Sequence, residues 1–219
     1  MRRIVDIGFS VCAIIILAPL FFLVAFLVWV RDGRPVLYSQ KRAGLRGETF
    51  LIYKFRTMSR SAGTIGGPLT FRADARITRM GRFLRRYKLD EFPQLWNVLK
   101  GDMTIVGPRP EVLEWVARYD PEERVILEHR PGLTDPVQLL FRHEQDFLES
   151  KEQYDRLFHF KVSKQIEYGR TRSFVSDLCV VLRTPFAIVM RRPNQQELAL
   201  YRALGCTGVR ESNVENRDS

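Results

Sequence analysis

The chain has few of the residues that build metal centres or disulfide frameworks. Its three cysteines, Cys12, Cys179 and Cys206, lie far apart, and no C-x-x-C pair occurs. This spacing excludes a zinc finger and a disulfide scaffold, and it agrees with a reducing environment. The three histidines are isolated and no H-E-x-x-H motif is present, so a structural or solvated role is expected for each.

Two phosphate-related motifs are also missing. No G-x-x-x-x-G-K-[ST] sequence occurs, which excludes a P-loop nucleotide-binding enzyme. No D-x-D sequence occurs either, although many nucleotide-sugar glycosyltransferases bind a divalent metal through that motif. Any chemistry on a nucleotide or sugar phosphate must therefore use a different set of carboxylates.

Positive charge is in excess. The 219 residues include 35 lysines and arginines against 25 acidic residues, for a net charge of +10. This length suits one domain, and the charge favours anionic partners such as phosphates, lipid headgroups or nucleic acid. The alternative is a soluble basic protein whose charge serves only solubility, but the arginines are clustered along the sequence.

The segment Ile7–Val30 contains no charged residue. As a helix it would be about 36 Å long, enough to cross a hydrocarbon core of about 30 Å. Pro19 lies in its middle and should kink the helix, and basic residues flank both ends, which favours placing both ends on the cytoplasmic side. Residues 1–34 are therefore predicted to form a re-entrant membrane segment broken at Pro19; a straight span remains the alternative.

The rest of the chain predicts an α+β fold that is mainly helical. Residues 36–40 and 49–53 read as a small β-hairpin, and residues 77–89 as a basic amphipathic helix. Other predicted elements are a loop over 59–70, which could be a lid or a plain connection, surface helices over 111–128 and 144–168, a loop over 130–136, and an interfacial helix over 174–190. Residues 35–192 are assigned to a catalytic domain with amphipathic helices around its site, and 193–219 to a polar tail with a disordered end.

The most informative run surrounds Asp90 and Glu91. Pro93 suits the first turn of a helix and Gly101 its end, so the two acids should stand just before a helix N-terminus, where the dipole favours negative charge. The apolar face of this helix is predicted to comprise Leu95, Trp96, Val98 and Leu99. An N-cap would explain one acid, but not two acids with arginines on both sides.

Adjacent residues of a helix point about 100° apart, so Asp90 and Glu91 cannot flank one glycosidic bond from opposite sides. They can instead share a metal site or divide the roles of nucleophile and partner. Carboxylates attack phosphorus in aspartyl-phosphate enzymes, and Mg²⁺ and arginines offset the charge repulsion. The residues alone therefore indicate phosphoryl transfer on an anionic substrate at a membrane surface.

The sequence resembles the bacterial initiating sugar transferases, also called monotopic phosphoglycosyl transferases. The resemblance extends from the apolar segment to about residue 190 and is most specific in the central run. It is carried by four motifs in the family's order: Lys54–Met58, the run from Arg85 through Asp90-Glu91 to Met103, Val106–Pro110 and Arg130–Thr134. Two departures are Ala18 before Pro19, where the family has serine, and Phe92, where the family usually has leucine.

The resemblance implies transfer of a sugar-1-phosphate from a UDP-sugar to a polyprenyl (undecaprenyl) phosphate, with release of UMP. It implies that Asp90 forms a covalent phosphosugar intermediate, that Glu91 is its partner, and that both lie at a required Mg²⁺. Lys54, Arg85, Arg109 and Arg142 match cations that bind the phosphates. The expected setting is the cytoplasmic face of the bacterial inner membrane, in the first membrane step of exopolysaccharide or lipopolysaccharide assembly.

The expected partners are the UDP-sugar, the polyprenyl phosphate and membrane lipids, with no nucleic acid. The identity of the sugar and the oligomeric state are not readable from the residues. The alternative function is a non-enzymatic, membrane-anchored basic module that binds anionic lipid or nucleic acid. Such a module predicts steeply salt-dependent binding that does not require Asp90.

Overall fold

The structure, a computed structural model, describes residues 2–60, 62, 74–148, 150–189 and 195–204. The helices are α1 (Arg2–Asp32), α2 (Arg79–Arg86), α3 (Gln94–Lys100), α4 (Leu113–Val116), α5 (Pro136–Leu140), α6 (Glu144–Phe147), α7 (Lys151–Thr171), α8 (Phe174–Val189) and α9 (Gln195–Ala203). The strands are β1 (Leu37–Ala43), β2 (Thr49–Phe55), β3 (Thr104–Val106) and β4 (Gly132–Thr134), and 3₁₀ turns occupy Leu45–Gly47, Leu89–Glu91 and Glu123–Glu128. The described part is therefore mainly helical with two small sheets, as predicted.

Helix α1 contains the apolar segment. It runs without interruption through Pro19, and its length and composition suffice to cross a membrane. A proline inside a helix removes one hydrogen bond, but the bonds on either side can keep the helix continuous. α1 is thus not divided into two helices at Pro19 as predicted, and the re-entrant arrangement stays a prediction.

The N-terminal end of α1 is bonded to the remainder of the protein. Arg3 Nη2 donates to the carbonyl of Leu99, at the end of α3, over 2.7 Å. Asp6, which is buried, accepts hydrogen bonds from Thr104 Oγ1 at 2.7 Å and from the Ile105 backbone N–H at 3.0 Å. Charged hydrogen-bonding partners on an apolar helix therefore attach its first turns to α3 and β3.

The C-terminal end of α1 is bonded to the same part of the chain. Arg56, directly after β2, donates to the carbonyls of Asp32 and Gly33, the latter over 2.7 Å. Thr78 Oγ1 donates to Asp32 Oδ2 over 2.8 Å. Near this end, buried Val28 belongs to an apolar cluster with Val24, Phe55 and Leu84.

Strands β1 and β2 form the predicted hairpin. They pair antiparallel from Leu37 opposite Phe55 to Ala43 opposite Thr49, so the strands are longer than the predicted 36–40 and 49–53. The tight 3₁₀ turn between them, with Arg46 and Gly47 at positive φ, lets pairing continue up to the turn. This hairpin carries Lys54 near the end of β2.

The parallel pair β3–β4 was not predicted, and β4 lies within the segment predicted as a loop over 130–136. Thr104 is opposite Gly132 and Val106 is opposite Thr134. Beyond β3, Gly107 packs directly against Gly132: a Cβ on Gly132 would lie 2.1 Å from the Gly107 nitrogen. Strands of three residues are too short to show alternating polarity, so the sequence provides little signal for them.

Two predicted helices are shorter than expected. α2 covers only Arg79–Arg86 of the predicted 77–89, because Thr78 caps its N-terminus and Lys88 adopts a left-handed conformation. The predicted helix over 111–128 contains only α4 and a 3₁₀ turn. Pro121 explains this break, because the residue before a proline is disfavoured in helical conformation.

The surface position predicted for the helices over 111–128 and 144–168 is wrong. Trp115 in the first segment and Phe158 in the second are both buried, with ring centroids 4.9 Å apart. The second segment is also split into α6 and α7, with Ser150 capping α7. The apolar residues of the two segments pack against each other in a shared core. The sequence of either segment alone does not show whether its apolar stripe is buried in this way or exposed.

The C-terminal part combines one confirmed and one unexpected helix. α8 coincides with the helix predicted over 174–190. The region predicted as a polar tail, 193–219, begins with α9, whose Leu198 and Tyr201 are buried in an apolar cluster with Phe141 and Phe147. Residues 205–219, most of the 59–70 loop and Cys206 lie outside the described residues.

Candidate active site

Asp90 and Glu91 lie on the 3₁₀ turn immediately before α3, as the sequence predicts. Lys88 precedes them at φ 54°, and Gly101 ends the helix at φ 97°. The N-cap of α3 is Pro93, which offers no side-chain cap, so neither acid serves as the cap of this helix. The alternative reading of one acid as an N-cap is therefore wrong.

One predicted member of the α3 apolar face is exposed. Leu95 and Val98 are buried, whereas Trp96 is 57% exposed. Leu95 and Val98 are three residues apart and share one face, while Trp96 points about 100° away from Leu95. In a helix of seven residues, only one narrow face can pack against the core.

Glu91 is held by two cations from distant parts of the chain. Lys54 Nζ on β2 lies 3.0 Å from Glu91 Oε1, and Arg109 Nη2 lies 3.2 Å from the same oxygen. Arg109 follows the Gly107 contact with β4, and its Nη1 donates to Gln138 Oε1 on α5 over 3.0 Å. The hairpin and the parallel pair thus deliver one cation each to the same carboxylate.

Asp90 has a different environment from Glu91. It is 6% exposed, and neither of its oxygens accepts a hydrogen bond from a described residue; Oδ1 is fully buried. Burial, followed by the negative charge of Glu91, raises the pKa of the Asp90 carboxyl, and the charges of Lys54, Lys88 and Arg85 only partly oppose this. Asp90 is therefore a buried acid with no direct ion-pair partner among the described residues.

Burial alone would also raise the pKa of Glu91, but the charges of Lys54 and Arg109 outweigh it and hold that pKa well below its usual range. Conversely, burial lowers the pKa of Lys54 despite the neighbouring Glu91. Two adjacent carboxylates with pKa values moved in opposite directions can take different chemical roles. Glu91 is therefore the carboxylate held in its ionised form, whereas the ionisation of Asp90 depends on its burial and on the charges around it.

Arg85 lies on the other side of Asp90. Its Nε donates to Thr57 Oγ1 over 2.8 Å, and the charge of Asp90 opposes the effect of burial, which lowers the pKa of Arg85. α2 can approach Thr57 because it has a glycine there: a Cβ on Gly81 would lie 1.9 Å from the Thr57 carbonyl oxygen. Close packing of α2 on Thr57 therefore sets the position of Arg85.

Arg142 is placed differently from the other predicted cations. The structure pairs it with Glu197 of α9 at 4.0 Å and with the Leu139 carbonyl at 3.1 Å, rather than with Asp90 or Glu91. The structure thus brings together five of the predicted site residues. Arg142 is not among them and lies four residues after Gln138. The five are Lys54, Arg85, Asp90, Glu91 and Arg109.

The residues present fit a magnesium ion. Mg²⁺ prefers hard oxygen ligands and often uses one or two carboxylates, with water and phosphate completing its coordination. Asp90 offers a buried oxygen without a hydrogen-bond partner among the described residues, and Glu91 stands next to it. A second cluster of potential metal ligands is formed by Asp120, Glu123 and His159. In that cluster Glu123 already accepts a hydrogen bond from His159 Nδ1 over 2.7 Å.

Several residues that shape the site were missed by sequence reasoning. Arg56 and Thr57 stand inside the recognised Lys54–Met58 motif, but their partners are remote. Asp6 also had a local signal, because it is an acid at the start of an apolar segment. Gln138 and Glu197 carry no signal that could have identified them.

Comparison with known proteins adds independent information. The sequence model of a family described as Bacterial sugar transferase matches residues 1–191. The chain is 32% identical over 206 residues to the Exopolysaccharide production protein ExoY of Sinorhizobium fredii, covering 87% of this chain and 86% of that one.

Two further relatives have names that state a reaction. The UDP-glucose:undecaprenyl-phosphate glucose-1-phosphate transferase of Caulobacter vibrioides is 36% identical over 186 residues, covering 84% of this chain and 67% of that one. The Undecaprenyl-phosphate galactose phosphotransferase of Salmonella typhimurium is 33% identical over 207 residues, covering 88% of this chain but only 41% of that longer relative. From the extent of the family match and these relatives, the chain belongs to the bacterial sugar transferase family and is a transferase enzyme.

Proposed function

We propose that the protein transfers a sugar-1-phosphate from a UDP-sugar to undecaprenyl phosphate and releases UMP, with Asp90 as the covalent nucleophile. The observation that carries the proposal is the split between the two acids: Glu91 is bound by Lys54 and Arg109, while Asp90 is buried without a direct partner among the described residues. The relatives whose names state a sugar phosphotransferase reaction support the same substrates. As the chain is an enzyme, the non-enzymatic module is set aside.

The proposed first step is attack by an Asp90 carboxylate oxygen on the sugar-bearing phosphorus of the UDP-sugar. The bond between this phosphorus and the bridging oxygen breaks, and UMP leaves with the electron pair. In the second step a phosphate oxygen of undecaprenyl phosphate attacks the same phosphorus, which frees the Asp90 carboxylate and forms the lipid diphosphate-sugar. Splitting the transfer in this way lets one nucleophile serve two substrates in turn.

The surrounding residues are proposed to manage charge. Lys54 and Arg109 hold Glu91 in its ionised form beside the reacting carboxylate, and Arg85 and Arg142 provide positive charge for the phosphates. Mg²⁺ held by Asp90 and Glu91 would neutralise part of the diphosphate charge. Arg109 is fixed by both Glu91 and Gln138, so its guanidinium needs little reorganisation when substrate binds.

The arrangement of α1 supports a location on one face of the membrane. Both ends of α1 are bonded to the catalytic domain, through Asp6 at one end and Asp32 at the other. Because one domain cannot stand on both sides of a bilayer, the bonded ends argue against a straight span, and we propose the re-entrant arrangement. We place this face at the cytoplasmic side of the bacterial inner membrane.

Helix α8 supports the same location. Its large exposed apolar residues fall within about a third of the helix circumference at 100° per residue. They are Phe174, Val175, Leu178, Leu182, Phe186 and Val189. Arg2 at the start of α1 lies 3.6 Å from Asp177 at the start of α8, so the two helices begin side by side. An exposed apolar face on a helix that begins beside the membrane helix suits the interface.

The reaction is tested with the purified full chain in nanodiscs, undecaprenyl phosphate, Mg²⁺ and a panel of UDP-sugars, with UMP release as the readout. We expect turnover with at least one sugar and a loss of at least about 10⁴-fold in Asp90→Asn. Asp155→Asn, at a surface ion pair with Arg118, is the matched control and should retain activity. Full turnover in Asp90→Asn would overturn the nucleophile assignment.

The covalent step has its own test. Without undecaprenyl phosphate, the protein should release about one equivalent of UMP, and mass spectrometry should find a sugar-phosphate adduct on the peptide containing Asp90. UMP release that strictly requires the lipid, with no adduct, would contradict this step.

The membrane arrangement is tested by labelling a cysteine added at residue 1, in a chain whose native cysteines are replaced by serine. Protection from an impermeant reagent in intact cells is expected for the re-entrant helix, and labelling would support the straight span.

A further inference from the structure

The C-terminal helix α9 lies beyond residues 1–191, the part of the chain matched by the family model. It is nevertheless packed into the protein. Tyr201 is fully buried, and its ring lies 5.5 Å from that of Phe141 and 4.5 Å from that of Phe147, centroid to centroid. α9 is therefore docked on the segment that joins α5 to α6.

Glu197 is the charged residue at the centre of this contact. Its side chain is fully buried, and an unpaired carboxylate in such a position would be costly. His143 Nδ1 lies 3.1 Å and the His143 backbone N–H donor 3.3 Å from Glu197 Oε1, and Arg142 Nη1 lies 4.0 Å from Oε2. Two adjacent residues of one segment thus contact Glu197: Arg142 provides a positive charge, and the His143 backbone provides a donor.

The helices on either side of this segment, α5 and α6, each carry a residue that interacts with Arg109 of the active site. Gln138, four residues before Arg142, accepts a hydrogen bond from Arg109, which binds Glu91. Just after Arg142, the Glu144 carboxylate lies 2.6 Å from Lys161 Nζ, and its charge contributes to the raised pKa of Arg109. Displacing this segment would therefore move groups on both sides of Arg142 relative to the Asp90–Glu91 pair.

We propose that Glu197 is a positioning residue that holds Arg142 in the orientation in which its guanidinium binds the phosphates of the UDP-sugar. This rests on the proposed function, in which Arg142 contacts substrate. A guanidinium has five N–H donors in a rigid plane, so it can meet a carboxylate along one edge and a phosphate along another. Glu197 thereby makes α9 part of the substrate-binding apparatus, although α9 lies outside the family match.

The test compares Glu197→Gln, Glu197→Asp, Arg142→Gln and the double variant Glu197→Gln/Arg142→Gln in nanodiscs. Exposed Gln196→Ala on the same helix is the control and should match the parent protein. We expect Glu197→Gln to raise KM for the UDP-sugar about 10-fold, the loss expected for one charged hydrogen bond, while kcat changes by less than about 3-fold. Glu197→Asp keeps the charge and should recover most of this loss.

The double variant distinguishes positioning from a general structural role. If Glu197 acts through Arg142, the double variant should be no worse than Arg142→Gln alone. Additive losses, or a fall in kcat together with a lower melting temperature in Glu197→Gln, would overturn the proposal. A KM unchanged in Glu197→Gln would overturn it as well.

A second readout does not depend on activity. Hydrogen exchange of the peptide containing the His143 amide should be faster in Glu197→Leu, which has no acceptor oxygen for that amide, and unchanged in Gln196→Ala. Equal exchange in the parent and Glu197→Leu would refute the contact itself. A parent protein that releases no UMP from any UDP-sugar, yet shows the expected exchange, would instead refute the proposed function.

Discussion

The contact between Gly132 and Gly107 offers a direct test of how the β3–β4 pair places Arg109. In Gly132→Ala, the new Cβ would lie 2.1 Å from the Gly107 nitrogen and 2.4 Å from its oxygen. A Cβ does not approach non-bonded backbone atoms this closely, so the two segments must separate by more than about 1 Å to reach ordinary contact. The atoms in the way belong to the backbone and cannot rotate aside, unlike a side chain.

The magnitude follows from what the separation breaks. The Gly132 N–H donates to Pro108 O over 2.8 Å, and the Gly107 N–H donates to Thr134 O over 3.0 Å. Losing two such bonds costs about 1 kcal/mol each, and the overpacking adds about 1–3 kcal/mol. The sum is about 3–5 kcal/mol, which lowers the melting temperature by roughly 10 °C in a chain of this size. Because Arg109 follows Pro108 directly, kcat/KM should fall about 100-fold, the effect of a misplacement of about 1 Å.

Thermal unfolding in nanodiscs and UMP release measure the two effects. Gly8→Ala is the matched control, because a Cβ there meets nothing within 4 Å and a helical Gly→Ala change is favourable by about 1 kcal/mol. A melting temperature and kcat/KM for Gly132→Ala that equal those of the Gly8→Ala control would refute the idea that this contact fixes Arg109.

Two further predictions concern buried acids. Because the pKa of the Asp90 carboxyl is raised in the native state, the folded protein keeps the carboxyl proton to higher pH than the unfolded chain does. The stability that this protonated carboxyl contributes is complete below about pH 3.9 and is lost as pH rises through the native pKa. Melting curves with EDTA should therefore show Asp90→Asn above the parent at pH 7 and equal to it near pH 3; a lower melting temperature at pH 7 would contradict the burial argument. Asp6→Ala should lose about 2–4 kcal/mol, because the Ile105 N–H and Thr104 hydroxyl lose a buried carboxylate, whereas Asp6→Asn can keep both bonds and should lose less than half of that in the same assay.

Much of the local structure could be predicted because it has local causes. Pro93 and Gly101 mark the ends of a short helix, alternating residues with a glycine-containing turn mark the hairpin, and the apolar segment marks α1. The neighbouring positions of Asp90 and Glu91 before α3 follow from the same signals. What could not be predicted was burial: Trp96 turned out exposed and Trp115 buried, since amphipathicity does not say which surface covers an apolar stripe.

The long-range contacts had even less signal. The β3–β4 pair rests on three-residue strands whose partners are far apart along the chain. Glu197 lies in a segment that looks like a polar tail, and only the packing of Tyr201 against Phe141 and Phe147 shows that it is buried. Such contacts form only when long stretches of chain bring distant residues together, and local sequence propensities do not predict which residues will meet.

The chemical groups of this protein can be read from its amino acids: two adjacent acids before a helix, a set of basic residues, and an apolar segment. Folding then gives the two acids different environments. Lys54 and Arg109 reach Glu91 from 37 and 18 residues away, while Asp90 is buried without such a partner in the described chain. Because a carboxyl pKa depends on burial and on the distance to other charges, two acids that are equivalent in sequence become different in chemistry only when the chain folds.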